Sequence, residues 1–159
     1  MDSPFREYAL LFLLGSLSVA SLSDIRRMAA QADFAEVWWV FIGVMFAADI
    51  GLGAAGIIAV EALGSKWLLF AAFAVLLTSS KSLSVATMDQ AALLALLSCL
   101  DAPMMAAAIA LTFLINEIMK PLLASYGSEG AYPFLPTVFV VNLAMLAIDA
   151  SELIRAFAS

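Results

Sequence analysis

Apolar residues fill this chain in long uninterrupted runs, and charged residues punctuate them. Charge-free stretches cover residues 8–23, 37–48, 50–60, 67–80, 90–100, 102–116 and 130–148. A helix needs roughly 20 mainly apolar residues to cross a bilayer, so several runs must extend through flanking polar positions. The runs 37–48 and 50–60 read as one long or broken segment. The pattern predicts an all-α, polytopic membrane bundle of about six transmembrane helices, forming a single domain over residues 1–159.

The first helix is expected over residues 7–22, ending in Ser21-Leu22-Ser23-Asp24-Ile25-Arg26-Arg27, with a short polar loop over 28–35. Asp2 and Glu7 beside Arg6 do not suit the basic start of a cleaved signal peptide, so this run is expected to be a retained span. A second helix starts near Glu36, carries Trp38 and Trp39 as an interfacial aromatic belt, passes Asp49, and has break points at Gly51, Gly53 or Gly56. A third covers 64–78, with Lys66 and Trp67 as interfacial anchors at its start. The fourth begins at Asp89 and stops near Asp101-Ala102-Pro103, where proline marks a boundary. The fifth takes 104–119 up to Lys120-Pro121, and the sixth follows a polar loop at 125–130 and occupies 134–154.

Composition agrees with the pattern. The chain is 65% hydrophobic with a mean hydropathy of +1.06, too apolar for a soluble domain of this size. A net charge of −6 argues against nucleic acid as a partner, since phosphate binding requires a basic patch. There is no histidine, which removes Ser-His-Asp and Cys-His catalysis and the commonest zinc and iron ligand. The lone Cys99 sits in an apolar run and reads as a small buried hydrophobe. Chemistry here must come from carboxylates, Lys, Tyr, Ser or the backbone.

Gly51-Leu52-Gly53-Ala54-Ala55-Gly56 spells G-x-G-x-x-G. No strand is expected before it, so helix packing or a helix break explains it better than a dinucleotide turn. Asp49, Glu61, Asp101, Glu117, Asp149 and Glu152 read as interfacial or loop carboxylates, with Asp49 exposed by a broken second helix and buried by a continuous one.

Two acids have a different setting. Asp24 follows Ser21 and Ser23, while Asp89 follows Ser84, Ala86 and Thr87 and opens a run with no charge. An acid at the mouth of an apolar helix is costly and needs a reason. Capping the helix is one, and a two-acid catalytic site is the other. Alternating spans place Asp24 and Asp89 on one side of the membrane. With Arg26, Arg27, Lys81 and Lys120 on that side, against Arg6, Lys66 and Arg155, the side is cytoplasmic. Two carboxylates sharing a partly dry site cannot both ionise readily. One then serves as base towards water while the other serves as acid.

The order of motifs resembles the type IV prepilin peptidases and, more closely, the archaeal preflagellin peptidases, which are membrane aspartic proteases with six helices. The matching pieces are Asp24-Ile25-Arg26-Arg27 after the first helix, Trp38-Trp39, Asp89 leading into Ala91-Ala92-Leu93-Leu94-Ala95-Leu96, Leu114-Ile115-Asn116, and Pro133-Phe134-Leu135-Pro136. The resemblance implies Asp24 and Asp89 as the catalytic pair, with Arg26, Arg27, Ala86 and Met88 bordering the substrate. It implies no metal and no cofactor. The substrate would be the basic leader of a pilin-like or archaellin-like precursor, cut at the cytoplasmic face of the plasma membrane, with lipids around the bundle. Ala86 and Met88 stand where the family has glycines, Ala91 where it commonly has lysine, and Met28-Ala29-Ala30 where it has a Pro-Asn turn. Those departures motivate a second reading, an inactive family-like assembly or substrate-binding factor. A third is a small proton- or solute-conducting bundle using Asp49 and Glu117.

Overall fold

A computed structural model describes residues 5–27, 32–79, 86–123, 125 and 133–158. Residues 28–31 of the loop expected at 28–35, residues 126–130 of that expected at 125–130 and the polar run around Lys81 lie outside the described residues, as do the side chains of Arg27, Glu152 and Arg155, while residues 32–35 are helical and not loop. The described residues form six helices: α1 Arg6–Arg27, α2 Ala32–Ala54, α3 Val60–Ser79, α4 Thr87–Ser98, α5 Ala102–Leu123 and α6 Leu135–Ala158. Four of them, α1, α2, α3 and α5, are long and apolar enough to cross a membrane, which marks this as a membrane protein.

The bundle is built around α4. Every residue from Ala91 to Leu100 is buried, as befits a helix that is apolar on all sides. Helices α1, α2, α3 and α6 pack against it, while α5 closes the ring between α3 and α6. With 12 residues, α4 is about 18 Å long, against a hydrocarbon core of about 30 Å. It is therefore a central plug, shorter than the helices that enclose it.

Antiparallel α1 and α6 form the most extensive interface, tied by polar contacts along its length. Asn142 donates from Nδ2 to the Leu10 carbonyl at 3.2 Å, and Arg6 pairs with Asp149. Helices α1 and α2 meet where Phe12 stacks on Phe41 at 5.3 Å between centroids. There Trp38 donates from Nε1 to Ser16 Oγ at 3.2 Å.

Several expectations are corrected. Helix α1 runs on through Asp24 to Arg27 instead of stopping at 22. Helix α2 is continuous through Asp49 and ends at Ala54, so residues 55–59 form a turn. Gly56 has φ +71°, the Gly56 amide donates to Gly53 O at 3.0 Å, and the Ile57 amide to Leu52 O at 2.9 Å. That is the Schellman arrangement, in which a left-handed residue ends the helix. Trp38 is 0% exposed and belongs to the core, whereas Trp39 is exposed. Helix α3 starts at Val60, a turn earlier than expected. Helix α5 begins at Ala102 and continues through Pro121 to Leu123. A proline in the last turn removes one intrahelical bond without stopping the helix outright. Asp101 caps α5, accepting from the Met104 amide at 2.9 Å.

Candidate functional site

The six helices alternate in direction, so the bundle has two distinct ends. The end of α1, the starts of α4 and α6, and the end of α5 share one of them. Asp24 lies in the last turn of α1 and Asp89 in the first turn of α4, both half-buried. The structure brings these two acids to the same end, near enough that the charge on Asp24 acts on Asp89.

Each acid also meets a helix N-terminus. Asp24 Oδ2 accepts the Leu135 amide, the first of α6, at 3.3 Å. Asp89 is the third residue of α4 and accepts the backbone N–H of Ala86, the N-cap residue, whose own side chain makes no capping bond. This is one half of a capping box. Two sets of unsatisfied amides, and the positive ends of two helix dipoles, therefore converge on the pair. Asp89 lies outside the four spanning segments. Burial first and the Asp24 charge second push its carboxyl up to about 7, against the smaller opposing effect of the Ala86 hydrogen bond.

The other expected site residues border this end. Arg26 is exposed on the last turn of α1, two residues past Asp24. Ala86 is exposed with φ −60° and ψ 149°, extended backbone that any residue adopts, so no glycine is required there. Met88 is half-buried and packs against the core. Ala91 is completely buried, and a lysine at that position would have to bury its charge.

The end opposite the two acids holds charges that the sequence placed at interfaces or in loops. Lys66 is 5% exposed and Asp49 1%. Lys66 Nζ lies 2.6 Å from Asp49 Oδ2, and the same oxygen accepts Trp67 Nε1 at 3.0 Å. Lys66 is thus a buried ion-pair partner. Arg6 and Asp149 are likewise buried and paired, with Asp101 Oδ2 3.5 Å from Arg6 Nη1. Asp149 is therefore a buried helix residue and not a loop carboxylate, and Asp49 is buried, as a continuous second helix requires. An acid inside an apolar helix needs a partner, which was the available signal for both pairs. The partners come from other helices, so only the fold identifies them. Asp49 and Glu117 are not brought together, since Asp49 is held by Lys66 and Trp67 while Glu117 is exposed on α5. Burial pushes the Cys99 thiol up to about 12, which leaves it without thiolate character.

Among the described residues no three His, Cys, Asp or Glu side chains form a group that would hold a metal ion. The glycine motif at 51–56 follows no strand and forms the end of α2. The Leu135 amide was missed at the sequence level because it is a backbone group 111 positions from Asp24. A comparison with protein-family models, curated proteins and solved structures finds no match for this chain.

Proposed function

We propose that the protein is a membrane aspartic endopeptidase that removes the basic leader of a pilin-like or archaellin-like precursor at the cytoplasmic face of the plasma membrane. The observation that carries this reading is that Asp24 and Asp89 stand at the same end of the bundle, near enough that burial and the Asp24 charge together raise the Asp89 carboxyl. The chain order of its motifs and its resemblance to the prepilin and preflagellin peptidases support it. Orientation gains support as well, because Arg6 and Lys66 are buried in ion pairs. They no longer weigh as loop charges against Arg26, Arg27, Lys81 and Lys120.

In this mechanism Asp24 is the base and Asp89 the acid. Asp24 takes a proton from water as the water oxygen bonds to the scissile carbonyl carbon, and Asp89 gives its proton to the carbonyl oxygen. Collapse of the tetrahedral adduct breaks the C–N bond. The amine leaves with the proton held by Asp24, and Asp89 recovers one from the adduct's hydroxyl. The apolar part of the leader lies against the helices while its basic end meets the acids.

A second reading is favoured by one observation: each acid already serves a helix N-terminus. In that case Asp24 ties α1 to α6, and the chain is a non-catalytic assembly or substrate-binding factor. Asparagine separates the two, since it keeps a side-chain acceptor for the amide and loses the ionisable group. The peptidase reading expects Asp24→Asn and Asp89→Asn each to abolish cleavage of a co-expressed precursor while the protein stays folded. Full processing by either variant, or none by the wild type against a panel of leaders, removes it.

A further inference from the structure

Most hydroxyls on these helices bond back to their own helix, and two buried ones do not. Ser16, Ser18, Ser65, Thr78, Ser98, Thr112 and Ser151 each donate to a backbone carbonyl three or four residues back, the usual outlet for a helical hydroxyl. Ser21 on α1 and Thr137 on α6 are 6% and 0% exposed, and neither hydroxyl has a hydrogen-bond partner among the described residues. A buried hydroxyl left unpaired costs free energy, so two of them call for a ligand that can bond to them.

Their position says what that ligand serves. Ser21 is three residues before Asp24, close to one turn along the same helix, where side chains are neighbours. Thr137 is in the first turn of α6, two residues after Leu135, whose amide binds Asp24. Each hydroxyl therefore lies about 3–5 Å further into the bundle than the Asp24–Leu135 contact. Along the two antiparallel helices that is the same layer. The Phe134 carbonyl, three residues before Thr137, already accepts the Thr137 amide at 2.9 Å.

We propose that Ser21 and Thr137 together hold a buried water against the inner side of the Asp24 carboxylate, making both of them positioning residues for the two-acid site. A water in such a site accepts from or donates to both hydroxyls and donates to the carboxylate, meeting the two to four polar partners that a buried water needs. The inference of a kinetic role rests on the peptidase reading, while the water site itself stands apart from it.

The test uses the full chain, purified in one detergent, with the variants Ser21→Ala, Thr137→Val and the double variant, and Thr137→Ser as the hydroxyl-retaining control. Thermal unfolding reads the site without reference to activity. If the hydroxyls hold a shared water, each variant lowers Tm by about 2–4 °C, the shift for roughly 1 kcal/mol at this chain length. The double variant then loses clearly less than the sum, because the first substitution has already released the water, and Thr137→Ser stays closer to wild type than Thr137→Val. Tm at or above wild type for Thr137→Val and Ser21→Ala overturns the proposal, since removing an unsatisfied hydroxyl from a dry site stabilises. Additive losses overturn the shared site. On a synthetic precursor peptide that the wild type cleaves, the double variant is expected to lose 10-fold or more in kcat with KM within about 2-fold, and Thr137→Ser to restore most of it. Unchanged kcat overturns the positioning role. A wild type that cleaves no leader peptide ends the peptidase reading, while the melting result still decides the water site.

Discussion

Replacing Lys66 by methionine perturbs the bundle at the end remote from the two acids. Methionine keeps much of the volume and the apolar stem of lysine and removes the ammonium that stands 2.6 Å from Asp49 Oδ2. Asp49, 1% exposed, then retains the Trp67 indole N–H at 3.0 Å as its donor in this cluster. Removing one member of a buried pair costs about 3–5 kcal/mol, because the remaining charge stays buried without compensation. At about 2–4 °C per kcal/mol for a chain of this size, Lys66→Met is expected to lower Tm by roughly 6–20 °C. The double variant Asp49→Leu, Lys66→Met removes both charges and is expected to recover most of that loss, since apolar replacement of a whole buried pair is close to neutral or better. The assay is thermal unfolding in a single detergent at pH 7, followed by tryptophan fluorescence, with Trp67 as a local reporter. A Lys66→Met variant that melts within about 2 °C of wild type refutes the reasoning, for it would mean that water or lipid headgroups reach Asp49.

Three further outcomes follow from other parts of the fold. An ordinary aspartate titrates near 3.8 and Asp89 near 7, so in that window the folded protein holds a proton that the unfolded chain has released. Stability therefore falls as pH rises from 3.8 through about 7, and equilibrium unfolding across this range should show a decline that Asp89→Asn flattens. Gly56→Ala forces a side chain into φ +71° and is expected to cost about 1 kcal/mol, read as a Tm shift. Leu94→Ala removes a completely buried side chain from the centre of α4 and is expected to cost about 2–5 kcal/mol; a loss under 1 kcal/mol would show that α4 is not the packed centre of the bundle.

Much of the fold was legible in the one-dimensional pattern, since each element is a local matter of apolar length and terminators. The six helices and their order follow from where charge-free runs begin and end, and the Gly56 stop was among the named break points. Errors at the boundaries have local causes as well. The polar ending of α1 continues as helix through Arg27, because charged residues at the end of an apolar run do not break a helix. Pro121 does not end α5, which runs on to Leu123 at the loss of the bond that a residue-121 amide would have given the Glu117 carbonyl.

The sequence by itself determined a membrane-embedded bundle without histidine chemistry, and it singled out Asp24 and Asp89 by the small and hydroxylated residues that precede each and by their place on one side of the alternating spans. It could not tell which charged groups inside the bundle neutralise one another. Lys66 read as an interfacial anchor and is the buried partner of Asp49, and Asp149 read as an interfacial or loop acid and is the buried partner of Arg6. Hydropathy records how costly a buried charge is, but the compensating group comes from another helix. Tertiary structure alone decided those pairings, the central place of the short α4, and the meeting of Asp24 with the Leu135 amide. Contacts between residues far apart in the chain depend on how helices rotate and pack, and no local pattern encodes that.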